Sequence, residues 1–454
     1  MRRVLLLILL FFWALPALAL MSPEEEAELG QKILSEIRAQ AQIIEDPEIT
    51  QYLERIGHRL LRQAGPHYFP FRFLVLKDSS LNAFALPGGY IFFTSGLIEE
   101  VDREDELAAV MAHEMAHVQA RHVARRLEAL KRLQIATAGL SLAGLLLGGG
   151  KAGSAVAVTS SALALTRALA YSRADEEEAD RLGFEYLVKA GYDPAAFLSI
   201  LEKITRHRWL LTETGPNYLL THPAPPERIT YLENLVRRYP SPKKTSGDPL
   251  YLRRLQVRLK VLTHDPGTLV VRYREALKLS EDPMLHYGLG LALARSRFFN
   301  EALHELSRVV QAFPDRDYFR LDLAQVYFEA GRYREAEAWL KDYLSRHPGN
   351  LRARWLLART YQELRRPKEA LSAFEALAEK LSDLPEFHYH YGRLLSETGH
   401  EGRAHYQFGR YFALKGDLRV ARYHYRQALK YLPAKDPLRE EIARKLKALD
   451  SHKS

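Results

Sequence analysis

Residues 106–118 read Glu106-Leu107-Ala108-Ala109-Val110-Met111-Ala112-His113-Glu114-Met115-Ala116-His117-Val118, a helix-forming run with no Pro or Gly. It lies in a helix expected from about Arg103 to Lys131. Two histidines four positions apart share one helix face, with Cβ atoms about 5–6 Å apart. That spacing suits His113 and His117 as neighbouring ligands of a tetrahedral Zn²⁺. Glu114 follows the first of them, where its carboxylate can take a proton from water and return it to a leaving amine. The short H-E-x-x-H pattern also arises by chance on ordinary helices, so the rest of the chain must supply what such a site still lacks.

It lacks a third ligand, with one position left open for chemistry. Val123 and Ala120 stand where the long three-histidine pattern would need His and Gly, which excludes that class. His122 falls about 140° around the same helix from His117 and reads as structural. The chain has no cysteine, which removes both thiolate ligands and disulfides. A carboxylate from a later helix remains, and Glu176-Glu177-Glu178-Ala179-Asp180 offers one. Acids here would also suit a plain helix N-terminus, the reading kept for Glu177 and Glu178. Asp180, one turn beyond Glu176, can accept the outer ring N–H of a ligand histidine.

This pairing of H-E-x-x-H with a downstream E-x-x-A-D resembles the HtpX-like and CAAX-prenyl-protease-like metallopeptidases. The resemblance implies that Glu176 completes the site for one Zn²⁺ per chain, as in a gluzincin-like peptidase. It extends to Asn82-Ala83-Phe84-Ala85-Leu86-Pro87-Gly88-Gly89-Tyr90-Ile91, implying an edge strand beside the metal. There Asn82, Ala83, Phe84 and Ala85 would pair with an extended substrate through backbone groups, although an ordinary hairpin would look the same. It extends also to His222 and Arg228, six residues apart. Both are implied to sit near the metal. They could stabilise an oxyanion, or His222 could take the fourth metal position and hold the enzyme off; the sequence leaves both readings open.

Other segments set the organisation. Arg2 and Arg3, an apolar run from Val4 to about Ala14, and Ala17-Leu18-Ala19 form a cleavable secretory signal over 1–19. An exported, periplasmic protein is expected. The peptidase domain is placed at 20–240, with Phe71 to Leu76 and Asn82 to Thr94 as strand candidates. Leu133 to Ala170 is apolar and broken by Gly148-Gly149-Gly150. It reads as a helical hairpin, packed on the core or touching a membrane surface, substrate or partner. Ser241-Pro242-Lys243-Lys244-Thr245-Ser246-Gly247-Asp248-Pro249 is the linker candidate.

From 250 to 450 the chain repeats. Ala302, Ala336, Ala370 and Ala404 recur every 34 residues, as do Gly290, Ala324, Ala358 and Gly392. That period with small residues at fixed places is the tetratricopeptide pattern. Arg365-Arg366-Pro367 departs from it at a turn where another unit has Gly331, and the half-period spacing of Gly416 to Ala421 marks the last helices as a cap. The expected fold is thus mostly α with a small β-sheet, a zinc peptidase domain followed by a helical repeat domain.

Hydrophobic residues at 47% and charged residues at 27% exclude a disordered chain. A net charge of +9 on 454 residues, with no compact basic run interleaved with aromatics, gives no reason to expect nucleic-acid binding. The whole plan resembles the BepA-type envelope proteases. The implied function is a zinc endopeptidase acting on unfolded, misfolded or stalled exported proteins, its repeats meeting outer-membrane assembly machinery. The other reading is an assembly factor or chaperone that uses the repeats, with zinc silenced by His222. BepA-type proteins hold peptidase and repeats together by a disulfide, which this chain, lacking cysteine, cannot form.

Overall fold

A computed structural model describes residues 21–132, 171–210, 218, 222, 226–242 and 246–451. The expected leader and the apolar segment Leu133–Ala170 lie outside the described residues. Among those described, no helix is long and apolar enough to cross a membrane.

The chain divides into two units, the first ending at His264 and the second beginning at Asp265. In the first, β1 (Arg72–Leu76), β2 (Ala83–Leu86) and β3 (Tyr90–Thr94) form a sheet of order β1-β3-β2, with β1 parallel and β2 antiparallel to β3. Alternation along each strand sends side chains to two faces. Phe73, Val75, Ala83, Ala85, Ile91 and Phe93 join the main core. Phe84, Leu86, Tyr90 and Phe92 face the other way and meet Ile33, Leu34 and Ile37 of α1 (Pro23–Gln40). The β2–β3 turn uses Gly88 and Gly89 at φ +78° and +88°, a backbone that side-chain-bearing residues rarely adopt.

The outer side of β1 is bridged by Ile43, and β2 is the end strand on the other side, with all four of its residues buried. Thr94 N–H donates to the Asn82 carbonyl at 3.0 Å, which makes 82 and 94 a hydrogen-bonded pair. Alternation then turns the N–H and C=O of Phe84 toward β3 and those of Ala83 and Ala85 outward.

After α2 (Pro47–Ala64) and the short α3 (Ser95–Glu100) comes α4 (Glu104–Gln119), which packs against β2 and β3. Every residue of α4 from Glu104 to Val118 is buried. Its first-turn acids are each matched: Glu104 by Arg55 at 2.7 Å, Asp105 by the Asp193 N–H at 2.9 Å, Glu106 by Lys203 at 2.9 Å. The long helix expected to Lys131 is broken. Ala120 ends α4, Arg121 adopts φ +55°, and α5 (His122–Arg132) sets off in a new direction. Arg121 is held in that left-handed conformation by Glu26 at 2.8 Å and by the Met21 carbonyl.

α6 (Arg173–Lys189) opens with a Ser172–Asp175 capping box. α7 (Ala195–Leu210) and α8 (Pro226–Val236) follow, then α9 (Pro249–Thr263). The sequence placed α9 with the repeats, beyond a flexible linker, but it lies within the first unit. The reason is electrostatic. Arg254, fully buried, forks onto Glu48 at 2.7 and 2.9 Å, and Arg258 reaches Asp46 at 2.8 Å. Part of the expected linker is docked as well: Ser246 N–H donates to Asp105 at 3.2 Å.

The second unit is a series of antiparallel helix pairs, with repeat helices starting at Pro283, Asp317, Leu351 and Pro385, 34 residues apart. Ala302, Ala336, Ala370 and Ala404 are all buried at the helix crossings. A Cβ on Gly290 would come within 2.8 Å of Leu306, and one on Gly392 within 2.9 Å of Phe408. At the departing turn, Arg365 keeps the left-handed geometry of Gly331, at φ +54° against +74°. The turn is therefore preserved, and the helix after it is short, Pro367–Glu375. The final helices span Leu418–Tyr431 and Leu438–Ser451.

Candidate metal centre

α4 carries His113 and His117 on one face, and α6 crosses it there. The crossing is close because position 183 is glycine. A Cβ on Gly183 would stand 3.0 Å from Ala112 carbonyl atoms and from His113 Cα. One turn into α6, Glu176 therefore meets the imidazole pair. His113 Nε2 and His117 Nε2 are 3.0 Å apart, and Glu176 lies 3.6 Å from the first and 3.4 Å from the second. His222 joins them, its Nδ1 2.9 Å from Glu176 and 3.3 Å from His113 Nε2. One ligand atom from each of these four buried residues falls within 4.8 Å of every other.

Surrounding groups set which imidazole nitrogen carries a proton. His113 Nδ1 is 3.0 Å from Asp180, close enough for the carboxylate to favour the proton on Nδ1 and leave Nε2 its lone pair. His117 Nδ1 is 2.9 Å from His122 Nδ1, and His122 Nε2 is 3.1 Å from Glu178. His122 donates its Nε2–H to the Glu178 carboxylate, His122 Nδ1 accepts from His117, and His117 Nε2 is left bare. His122, expected to face away, thus backs His117, because the break at Arg121 turns α5 around.

The bare Nε2 atoms of His113 and His117 and the Glu176 carboxylate, gathered this closely, repel unless a cation or a proton sits among them. All are nitrogen or carboxylate donors, a set that suits a divalent metal ion, zinc included, and their crowding is the observation that fits such an ion to this site. Glu114 is fully buried, 3.5 Å from His222 Nε2, and neither of its oxygens has a hydrogen bond among the described residues. Burial pushes its carboxyl up, with His222 and His113 pulling against that. Burial would raise Glu176 too, but His222, His117 and Arg228 together hold it well below the usual range. Burial holds His117 neutral, well below its ordinary value.

Arg228 is placed differently from an oxyanion donor. Its Nε and Nη2 fork onto Asp180 at 2.7 and 2.8 Å, and Nη1 reaches Glu176. It holds the carboxylates that hold the site. Asn82, Ala83, Phe84 and Ala85 lie at or on the end strand β2, against α4, and all four are buried.

Residues 47–236 match the model of Peptidase family M48. The first unit carries an M48 peptidase domain. The resemblance read from the H-E-x-x-H and E-x-x-A-D motifs therefore holds. Downstream of the M48 domain, residues 352–417 match YpiA-like C-terminal tetratricopeptide repeats, and 295–377 match anaphase-promoting complex subunit 3.

Among curated proteins, the chain is 31% identical over 311 residues to the beta-barrel assembly-enhancing protease of Yersinia pestis, covering 67% of this chain and 63% of the relative. It is 30% identical to the protein of that name in Escherichia coli K12, covering 66% and 62%. The mitochondrial metalloendopeptidase OMA1 of Schizosaccharomyces pombe is 29% identical over 201 residues, 43% of this chain and 56% of that one. The chain thus spans under two thirds of the length of the relatives it matches.

Two residues of the M48 site escape a reading of the sequence. His122 is visible there but is expected to point the wrong way. Tyr171 is not marked at all: its ring stacks on His117 at 3.9 Å between centroids and lies 5.0 Å from His222. It stands just before the capping Ser172, where no periodicity or motif singles it out.

Proposed function

We propose that the chain is a zinc-dependent endopeptidase of exported proteins, with His113, His117 and Glu176 as metal ligands and Glu114 as general base. The observation that carries this reading is the convergence of four buried donor groups beside a buried carboxylate with no hydrogen bond of its own. Zinc bound here supplies Lewis-acid chemistry, polarising the peptide carbonyl and acidifying water.

The chain's own residues do the rest. Glu114 takes a proton from the attacking water and delivers it to the departing amine. Its raised affinity for protons suits that exchange. An extended substrate pairs with the N–H and C=O groups of Ala83 and Ala85 that face away from β3, which are buried in this structure and must be uncovered first; such pairing reads backbone rather than sequence. Asp180, His122 and Arg228 keep the imidazoles and Glu176 aimed. The names of the bacterial relatives, together with the expected signal, favour envelope proteins as clients, outer-membrane barrels among them, and the repeats as the surface that meets partners.

A second reading has its own support. His222 sits within reach of the same point as the three ligands and beside Glu114, the position of a fourth ligand. In that state the site is closed to substrate, and the protein acts as an assembly factor through its repeats until His222 withdraws.

Zinc content and cleavage of an unfolded protein, compared in wild type, Glu114→Gln and His222→Ala, separate the readings. The enzyme reading expects stoichiometric zinc in all three, a loss of about 10²–10⁴-fold for Glu114→Gln, and activity equal or higher in His222→Ala. Zinc-loaded protein that cleaves nothing, even as His222→Ala, overturns it.

A further inference from the structure

Two of the described helices carry several cations and no acid, and the fold treats them in opposite ways. In α9, Arg254 and Arg258 are buried and each meets a carboxylate, Glu48 or Asp46. The other is Leu418–Tyr431. From Leu418 to Lys435 the sequence holds Arg419, Arg422, Arg426, Lys430 and Lys435 and no Asp or Glu.

Arg422 is tied to the chain, donating to the Leu449 carbonyl at 2.8 Å. Arg419 and Arg426 have no carboxylate partner among the described residues, and both are exposed. With Tyr423 and Lys430, also exposed, they occupy positions i, i+4, i+7 and i+11, one face of the helix about 16 Å long. Tyr423, 56% exposed, stands in the middle, and Tyr431, 52% exposed, at the end, with the Lys430 ammonium 5.7 Å from its ring centre. Other repeat helices mix signs on their surfaces: Tyr333–Arg346 pairs Lys341 with Glu337 and Arg346 with Asp342.

We propose that this face docks on an anionic phospholipid surface. Three cations in a row with no carboxylate to satisfy them call for a partner bearing spread negative charge. Tyrosine, standing among the cations at Tyr423 and beyond them at Tyr431, is the aromatic type that settles at the headgroup level of a bilayer. The row reads a charged plane rather than one ligand, because its exposed cations are spread along about 16 Å of one helix face and not gathered at a point. The site is remote in sequence from the metal ligands and does not depend on the peptidase reading.

The test is co-sedimentation of the full chain with vesicles of phosphatidylcholine alone or with phosphatidylglycerol added, at low and high salt. Wild type is expected to bind only the anionic vesicles and to release at high salt. The triple variant Arg419→Glu, Arg426→Glu, Lys430→Glu is expected to lose binding at least a hundredfold, since each cation near such a surface contributes roughly fivefold. A control reversing three exposed cations elsewhere in the repeats, Arg334→Glu, Lys368→Glu and Lys380→Glu, carries the same net charge and should change binding severalfold at most. Circular dichroism confirms that both variants are folded. Equal losses in the two variants, binding that persists in the Arg419 set, or failure of wild type to bind anionic vesicles while it binds an acidic polypeptide, would each overturn the assignment.

Discussion

Replacing Arg228 tests how the site is held. Its guanidinium makes two hydrogen bonds to Asp180 and a third contact to Glu176, and all three side chains are at least nine-tenths buried. Arg228→Met keeps most of the volume and removes the charge. Two carboxylates are then left in the interior with only imidazoles for company. Breaking a buried ion pair from one side costs about 3–5 kcal/mol, a factor of roughly 150 to 5,000 in the folding equilibrium. Asp180 also loses the clamp that aims it at His113 Nδ1, and disturbing such outer partners of a ligand lowers metal affinity about 10–100-fold. Arg228→Lys restores a point charge but not the planar fork, so it should recover part of both losses. Denaturant unfolding without metal, following the transition that added zinc shifts, reads the first quantity. Chelator competition reads the second. If Arg228→Met unfolds within about 0.5 kcal/mol of wild type, keeps zinc affinity within twofold, and loses only turnover, then Arg228 acts on the oxyanion and the clamp is wrong.

Two single positions give further expected outcomes. Gly183→Ala must open the α4–α6 crossing by a few tenths of an ångström, because its Cβ would stand 3.0 Å from three α4 atoms. The overpacking cost of about 1–3 kcal/mol outweighs the roughly 1 kcal/mol that Ala gains in a helix, and zinc affinity should drop as Glu176 recedes; a more stable variant with unchanged affinity would refute this. In the second unit, burial, with Arg359 and Arg393 beside it, holds the His390 ring down to about 3. The unfolded ring protonates near 6.5, so between those values the unfolded state binds more protons and stability falls as pH drops. With solvent screening the loss is about 1–2 kcal/mol, and His390→Gln should flatten that part of the pH profile while leaving stability above pH 7 less affected.

The legible parts of this protein are those written as local patterns. The 34-residue period survives even at Arg365, because a left-handed arginine costs only about 1–2 kcal/mol and the buried Ala358 and Ala370 on either side still fix the pair. The strands at 72–76 and 83–94 announce themselves through alternation and the Pro87-Gly88-Gly89 turn. The end of the first unit is not legible. Ser241 to Pro249 has the composition of a free linker. Nothing in it says that Asp105 will hold Ser246, or that Glu48, some two hundred residues earlier, will hold Arg254 of α9. A basic helix without acids looks the same whether its partners are inside the protein, as for α9, or outside it.

The site shows the same division between what is near in sequence and what is near in space. His113, Glu114, His117, Glu176 and Asp180 belong to two short motifs, and each motif needs only one helix to orient it. His122 depends on a break that its own neighbourhood does not declare. Arg121 is driven out of the helix by Glu26 and the Met21 carbonyl, from the other end of the domain, and only then does His122 swing back to His117. The helix itself carries a clue of a different kind. Leu107 to Ala112 is apolar all round, and such a run is stable only with neighbours on every side. The helix's histidines therefore had to be reached by groups from several parts of the chain at once: α6 in front, α5 behind, Tyr171 on the flank of His117, and His222 beside Glu176. A metal site in that setting has its proton positions fixed by the fold before any ion arrives.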